Sequence, residues 1–353
     1  GVSTCAARDI VFRQGLLVGT IRAMTQLTRR TALGAGLLGA LAAPGLARAQ
    51  GAPEWSPTGQ VRLINGFAPG GSPDILARAM APHAQAALGQ PFLVENRPGA
   101  GGSIGARYAA QQPADGQTLF LAAVSAVIGP FMTANAGYRV EDFRPISLLT
   151  ITPVVLVVRQ DFPAQTIQEF HRAVAGSQNR FTYASAGSGT PHQLAAELYS
   201  MQTGSAMTHV PFRGSALALT ELRAGRVDMT FVDLASAIGQ IRQGGLRALA
   251  VTTNRRVPAL PDIPTVAETV LPGFEAYTWV MWWLPRATPD PVVRRLNAVA
   301  LGALNQPDVL ARVNEFGFLL EGSDIPRAEA HVRGETEKWS GLIRARGLRF
   351  EEG

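Results

Sequence analysis

Two residue types are nearly missing from this 353-residue chain: cysteine occurs once, at Cys5, and lysine once, at Lys338. A single cysteine excludes an intramolecular disulfide framework and a cysteine-built metal site. The five histidines (His83, His171, His192, His209, His331) form no H-E-x-x-H pattern and no i, i+4 pair, so no metal site is expected. No G-K-[ST] phosphate loop is found, and no cofactor is expected. Long apolar runs are also scarce. The stretch at 32–43 falls short of the ~20 residues a membrane-spanning helix needs.

The formal net charge of +6 points toward nucleic acid or membrane only until the charges are located. Six of the 32 basic residues and one of the 26 acidic ones precede Gln50, which leaves 26 and 25, a net of +1. The body of the chain therefore carries no basic excess, and nucleic acid is not an expected partner. The early arginines have another reading. Thr28-Arg29-Arg30, a weakly apolar glycine-rich run and Ala47-Arg48-Ala49 follow the order of an export signal with a small-x-small cleavage site. Cleavage is expected after Ala49, by a twin-arginine or an ordinary secretory route, giving a periplasmic protein. Met24 stands where a start codon belongs, so 1–23 reads as upstream sequence and takes Cys5 with it. A free thiol and a lipid-bearing cysteine are then excluded as well.

With 46% apolar and 16% charged residues the composition is globular, and the length suits two domains. From Val61 onward, short apolar runs alternate with helical stretches. Strands are expected at 61–64, 92–95, 118–124, 154–158, 181–185, 227–231 and 246–251. Helices are expected from Ser72, Ser103, Pro191 and Ser215, and again beyond Pro289. Ser72-Pro73-Asp74 reads as N-cap, first-turn proline and first-turn acid, with Pro82 as a kink. Repetition of strand, glycine-rich turn and helix points to an α/β fold with parallel-rich sheets in two lobes. The expected organisation is a linker at 50–59, lobe 1 at 60–150, lobe 2 at 151–280 and a return to lobe 1, with C-terminal helices, at 281–353.

In such sheets ligands sit beyond the carboxyl ends of strands, where loops run into helix N-termini. Four small-residue loops occupy such points, at 68–72, 99–103, 186–190 and 212–215. Helix N-termini offer unpaired N–H groups and partial positive charge, so several converging on one carboxylate can recognise it without arginine. Individual side chains keep two readings each. Asp74 either meets a ligand donor or stabilises its own helix start. His192 either touches ligand or orients its loop. Arg213 and Arg97 are carboxylate clamps or solvent-facing arginines. The aromatic stretch Tyr277-Thr278-Trp279-Val280-Met281-Trp282-Trp283 is core, or lends one indole to a ligand wall.

Enzymatic readings are weaker. Gly101-Gly102-Ser103-Ile104-Gly105 fits G-x-S-x-G, but the elbow needs its serine directly off a strand, and Pro98 and three glycines intervene. The same stretch fails G-x-G-x-x-G at Ile104. A secreted hydrolase using Ser103 or His192 is the least favoured reading; a ligand sensor for a signalling system is the nearer alternative.

Five motifs carry a resemblance. They are Phe67-Ala68-Pro69-Gly70-Gly71-Ser72-Pro73-Asp74, Glu95-Asn96-Arg97-Pro98-Gly99-Ala100-Gly101-Gly102, Tyr183-Ala184-Ser185-Ala186-Gly187-Ser188-Gly189-Thr190 with His192, Val210-Pro211-Phe212-Arg213-Gly214-Ser215, and Leu260-Pro261-Asp262-Ile263-Pro264-Thr265. Taken in order, the chain resembles the extracytoplasmic solute receptors of tripartite tricarboxylate transporters, the Bug family. The resemblance implies a type II periplasmic-binding-protein fold with an interdomain cleft. It also implies no enzymatic activity, a di- or tricarboxylate, acidic amino acid or aromatic acid as ligand, a large and a small membrane subunit as partners, and a monomeric receptor. The candidate ligand-binding residues are Phe67, Ala68, Gly70, Gly71, Ser72, Asp74, Ser125, Ser185, Gly187, Gly189, Thr190, His192, Phe212, Arg213 and Asp233. The chain departs from the family pattern at Asn65-Gly66, around Asp233 and in the aromatic pair Trp282-Trp283.

Overall fold

The computed structural model describes residues 55–133 and 135–349; the expected upstream segment, export signal and most of the linker lie outside them. In chain order the elements are β1 (Val61–Asn65), α1 (Ser72–Leu88), β2 (Phe92–Asn96), α2 (Ser103–Ala110), β3 (Thr118–Ala122), α3 (Val124–Met132), β4 (Phe143–Thr152), β5 (Val154–Arg159), α4 (Ile167–Val174), β6 (Gln178–Ser185), α5 (Pro191–Thr203), β7 (Ala206–Pro211), α6 (Ser215–Arg223), β8 (Met229–Asp233), α7 (Leu234–Arg242), β9 (Leu246–Val251), α8 (Val266–Thr269), β10 (Thr278–Pro285), α9 (Asp290–Leu304), α10 (Pro307–Glu315), β11 (Leu319–Leu320) and α11 (Ile325–Arg346). None of these helices is long and apolar enough to cross a membrane.

The strands form two sheets, β11-β4-β10-β3-β1-β2 and β7-β6-β8-β5-β9. Both are mixed. The strand–turn–helix repeats supply the parallel pairs, β1 with β2 and β3, and β6 with β7 and β8. The antiparallel pairs involve the strands by which the chain changes sheet. It leaves the first sheet at β4 and enters the second at β5, with only Pro153 between them, and it returns with β10. β10 lies antiparallel to both β3 and β4, and β5 lies antiparallel to both β8 and β9.

β10 also settles the aromatic stretch. Its side chains alternate between faces. Trp282 stacks on Phe92 at 5.4 Å in the core beneath α1 and α9, while Trp279 and Trp283 belong to the core on the opposite face. All three indoles are fully buried, so none forms a ligand wall.

Two local expectations change. The apolar run beginning at Thr118 ends as a strand at Ala122, and Val124 already starts α3. No polar residue marks that break, because both elements are buried. The N-cap of α1 is Gly71, not Ser72, with Pro73 in the first turn.

Backbone proximity between the first loops is set by glycine. A Cβ on Gly66 would stand 3.0 Å from the Cα of Gly102. On Gly105, inside α2, it would stand 3.0 Å from the Cα of Gly66 and 3.2 Å from the Arg97 carbonyl oxygen. Backbone cannot swing away as a flexible side chain can. Gly105→Ala is therefore expected to lower stability by about 1–3 kcal/mol, despite the better helix propensity of alanine. Denaturant midpoints check this, and an unchanged midpoint would show that the 66–71 loop yields freely.

Candidate functional site

A cavity of about 260 Å³ is lined from the elements of both sheets, beside the chain crossings. Its lining comes from Phe67, Pro73, Ala123, Val124, Ser125, Thr152, Pro191, Asp233, Thr278 and Val280. Four helix N-termini reach it. Pro73 is in the first turn of α1, Val124 and Ser125 begin α3, Pro191 begins α5, and Asp233 is the N-cap of α7. The remaining residues, Thr152, Thr278 and Val280, sit on the strands beside the crossings, in β4 and β10. Among the described residues no lysine, arginine or histidine lines this cavity. The helix ends bring partial positive charge to it, each worth roughly 0.3–1 kcal/mol toward a bound anion, or up to ~2 when partly buried. Ser125, Thr152 and Thr278 add hydroxyl donors.

The wall from the first sheet is built around Asp74, which is almost fully buried. Its Oδ1 accepts from Nδ2 of Asn65 (3.2 Å) and Nδ2 of Asn96 (2.7 Å). Its Oδ2 accepts from the Gly70 amide (3.0 Å) and Arg78 Nε (2.9 Å). Burial pushes this carboxyl up, yet the bonds from Arg78, Gly70 and Asn96 and the Arg78 charge outweigh it and hold the group down at about 2. With four donors on its two oxygens, Asp74 braces the loop. Asn65 accepts from the Phe67 amide (3.1 Å), and Asn96 donates to the Phe67 carbonyl (3.1 Å). The clamp on Phe67 therefore hangs on Asp74, and the unusual Asn65 is part of it.

The wall from the second sheet is similarly self-bonded. Ser185 is fully buried, donates to the Gly187 carbonyl (3.0 Å), accepts from its amide (3.1 Å) and lies 2.6 Å from His209 Nε2. The Gly189 amide donates to Gln193 Oε1 (2.6 Å), and Thr190 Oγ1 donates to the Gly187 carbonyl (2.7 Å). Gly187 and Gly189 both take positive φ, at 132° and 74°, which side chains resist. His192, in the first turn of α5, is buried with Nε2 3.1 Å from Asp233 Oδ2. It braces the N-terminus of α5 against that of α7.

Of the residues picked from sequence, Phe67, Ser125 and Asp233 thus border the cavity. Ala68, Gly70 and Gly71 form the loop behind Phe67, and the backbone of Ser72 opens α1. Ser185, Gly187, Gly189, Thr190 and His192 shape the opposite wall from behind. Phe212 is half-buried and its amide bonds the Ser185 carbonyl, while Arg213 is exposed; neither lines the cavity. Arg97 lies over the Tyr108 ring at 3.6 Å and pairs with Glu95, away from the cleft. Pro73 and Pro191 carried a signal as helix openers, whereas Thr152, Thr278 and Val280 carried none, because only the crossing geometry brings them in. Ser103 is buried at the start of α2 and borders a separate cavity that no histidine lines. Among the described residues no cluster of three or more His, Cys, Asp or Glu is placed to hold a metal ion.

Comparison with known proteins agrees with this architecture. The model of the tripartite tricarboxylate transporter family receptor matches residues 76–348. A protein from the tcbD-tcbE intergenic region of Pseudomonas sp. (strain P51) is 37% identical over 290 residues, 81% of this chain and 86% of that one. The periplasmic binding protein BugD superposes with a TM-score of 0.67 at 31% identity, covering 84% of this chain and all of that one. The R. palustris protein Rpa4515, solved with adipate, superposes with a TM-score of 0.70 at 31% identity, covering 84% and 99%. The chain therefore belongs to the tripartite tricarboxylate transporter receptor family, a family of solute-binding proteins and not of enzymes.

Proposed function

We propose that this protein is a periplasmic receptor for a small carboxylate, working as a monomer that hands its ligand to the large and small membrane subunits of a tripartite tricarboxylate-type transporter. The observation that carries the reading is the convergence of four helix N-termini on one cavity that, among the described residues, no lysine or arginine lines. Such a site attracts a carboxylate and holds it by backbone N–H groups and hydroxyls. The adipate bound by the R. palustris relative supports the same ligand class. A micromolar receptor needs about −8 kcal/mol, within reach of several charge-assisted hydrogen bonds plus burial of the apolar lining. The ligand binds one lobe first, and closure of the other completes its hydrogen bonds.

A thermal-shift screen tests this, with dicarboxylates, citrate, acidic amino acids, aromatic acids and an uncharged amide of each. A carboxylate at a hundred times its Kd is expected to add about 2.7 kcal/mol and raise the melting temperature, its amide to add nothing. X-ray scattering of the same mixtures is expected to show compaction. Shifts from amides and acids alike would refute the carboxylate reading, and an unchanged scattering curve would refute closure.

A further inference from the structure

The loop at 186–190 is held by a chain of hydrogen bonds that suits only one protonation state of His209. Ser185 has one hydroxyl proton and gives it to the Gly187 carbonyl, so His209 Nε2, 2.6 Å away, is the donor to Ser185 Oγ. Nδ1 is then the acceptor, and it faces Gln193 Nε2 at 3.3 Å. The amide oxygen of the same Gln193 accepts from the Gly189 N–H at 2.6 Å. Gln193 is buried in the first turn of α5, so water does not replace either bond. A proton on Nδ1 would set two donors face to face. Turning the Gln193 amide over relieves that clash but points its NH2 group at the Gly189 N–H. Either way the cationic ring costs one of the two bonds.

The groups around the ring make His209 the member that titrates. From β6, Tyr183 stacks on it with ring centroids 4.9 Å apart. Tyr183 donates to Glu197 of α5 (2.6 Å), and Glu197 pairs with Arg346 of α11 (2.7 Å). Burial first, and then the Glu197 charge, push the Tyr183 hydroxyl up, so it keeps its proton. Histidine alone among these side-chain types ordinarily changes charge between pH 5 and 8.

Resting on the carboxylate-receptor reading for its consequence, we propose that His209 is a proton-sensitive positioning residue for the cleft. Neutral, it fixes the Gly189 turn and the N-terminus of α5; protonated, it releases them and weakens ligand binding. Gly189 leads into that helix start, and Pro191 within it lines the cavity. The locked turn favours the neutral ring. The lock is therefore complete above the ordinary histidine range, about 6.5, and is lost as pH falls below it.

NMR on the purified protein, with nitrogen-labelled glycine and histidine assigned by substitution, tests this between pH 5 and pH 8. The His209 ring is expected as the Nε2–H tautomer at pH 8, and the Gly189 amide signal is expected to shift in step with its titration. Gln193→Met removes the link and is expected to leave His209 titrating while the Gly189 signal stays constant. His209→Asn sets an acceptor that does not titrate where Nδ1 stood, and it is also expected to hold the Gly189 signal constant. Calorimetry with adipate is expected to show wild-type affinity falling about fivefold more than that of His209→Asn between pH 7.5 and pH 5.5, the variant marking the part due to adipate's own carboxyls. An Nδ1–H tautomer, a ring that stays neutral to pH 5, or a Gly189 signal that ignores the His209 titration overturns the inference and leaves the carboxylate reading standing. Equal falls in affinity overturn its link to binding. Should His209→Asn unfold, the wild-type and Gln193→Met spectra decide. Failure of adipate and every other acid to bind overturns the carboxylate reading, and the spectra still decide the His209 lock.

Discussion

Asp74→Ala is expected to lower the stability of the fold by about 3 kcal/mol and to weaken carboxylate binding with it. The substitution leaves the amide groups of Asn65 and Asn96 and the Gly70 N–H without the acceptor they share. Leaving the buried Asn65 amide unpaired costs about 1–3 kcal/mol, and the part-buried Asn96 and exposed Gly70 donors add less, while the half-exposed Arg78 returns to water at little cost. Binding suffers because Phe67 borders the cleft and is held at both its amide and its carbonyl by those two asparagines. The acid limb of stability should change too. Asp74 titrates at about 2 in the fold against 3.8 ordinarily, so its contribution, about 2 kcal/mol, is present above pH 3.8 and is lost as pH falls through 2. Denaturant midpoints of the two proteins between pH 2 and pH 6 should converge toward the acid end. A constant gap across that range would assign the loss to packing instead of the carboxylate.

Glu335→Ala is expected to cost more, about 3–5 kcal/mol. This buried carboxylate on α11 accepts from Trp279 Nε1 (2.9 Å) and Trp339 Nε1 (2.8 Å) and pairs with Lys338. Its removal strands two buried indole N–H groups and takes the ion-pair partner from Lys338, which keeps its bond to the Glu275 carbonyl. Glu335→Gln retains an acceptor and is expected to lose less than half as much. Burial pushes this carboxyl up, but the adjacent Lys338 charge and the hydrogen bonds it receives hold it below the usual range. Its stabilisation is therefore present at neutral pH and lost on acidification below the ordinary glutamate range, adding to the Asp74 effect. Equal losses for the Ala and Gln variants would show that charge, and not the indole acceptor, carries the contribution.

Elements whose boundaries are written locally were legible in the sequence, and those defined by long-range pairing were not. Glycine and proline bracket α1 and α5, so both helices could be read to within a residue or so at their starts. α3 could not, because its first turn is as apolar as the strand before it. β4 could not, because its partners β10 and β11 lie far along the chain. The cleft divides in the same way. Phe67 adjoins a small-residue loop that advertises a ligand site, whereas Thr152 and Thr278 are ordinary strand residues until the crossings place them together. Asp74 had two open readings because a first-turn acid looks the same whether it faces a ligand or, as here, two asparagines and an arginine.

The position of β10 has a consequence for biogenesis. It lies between β3 and β4, so the first sheet has no continuous hydrogen-bond network until a strand more than a hundred residues downstream arrives. An emerging chain that has reached β9 can pair the second sheet in full, but it leaves β3 and β4 with open edges and their apolar faces uncovered. Pairing at such long sequence separation is slow. The nascent protein thus stays incompletely folded until most of it has been made, an interval in which chaperones can hold it and in which it is open to proteases and aggregation.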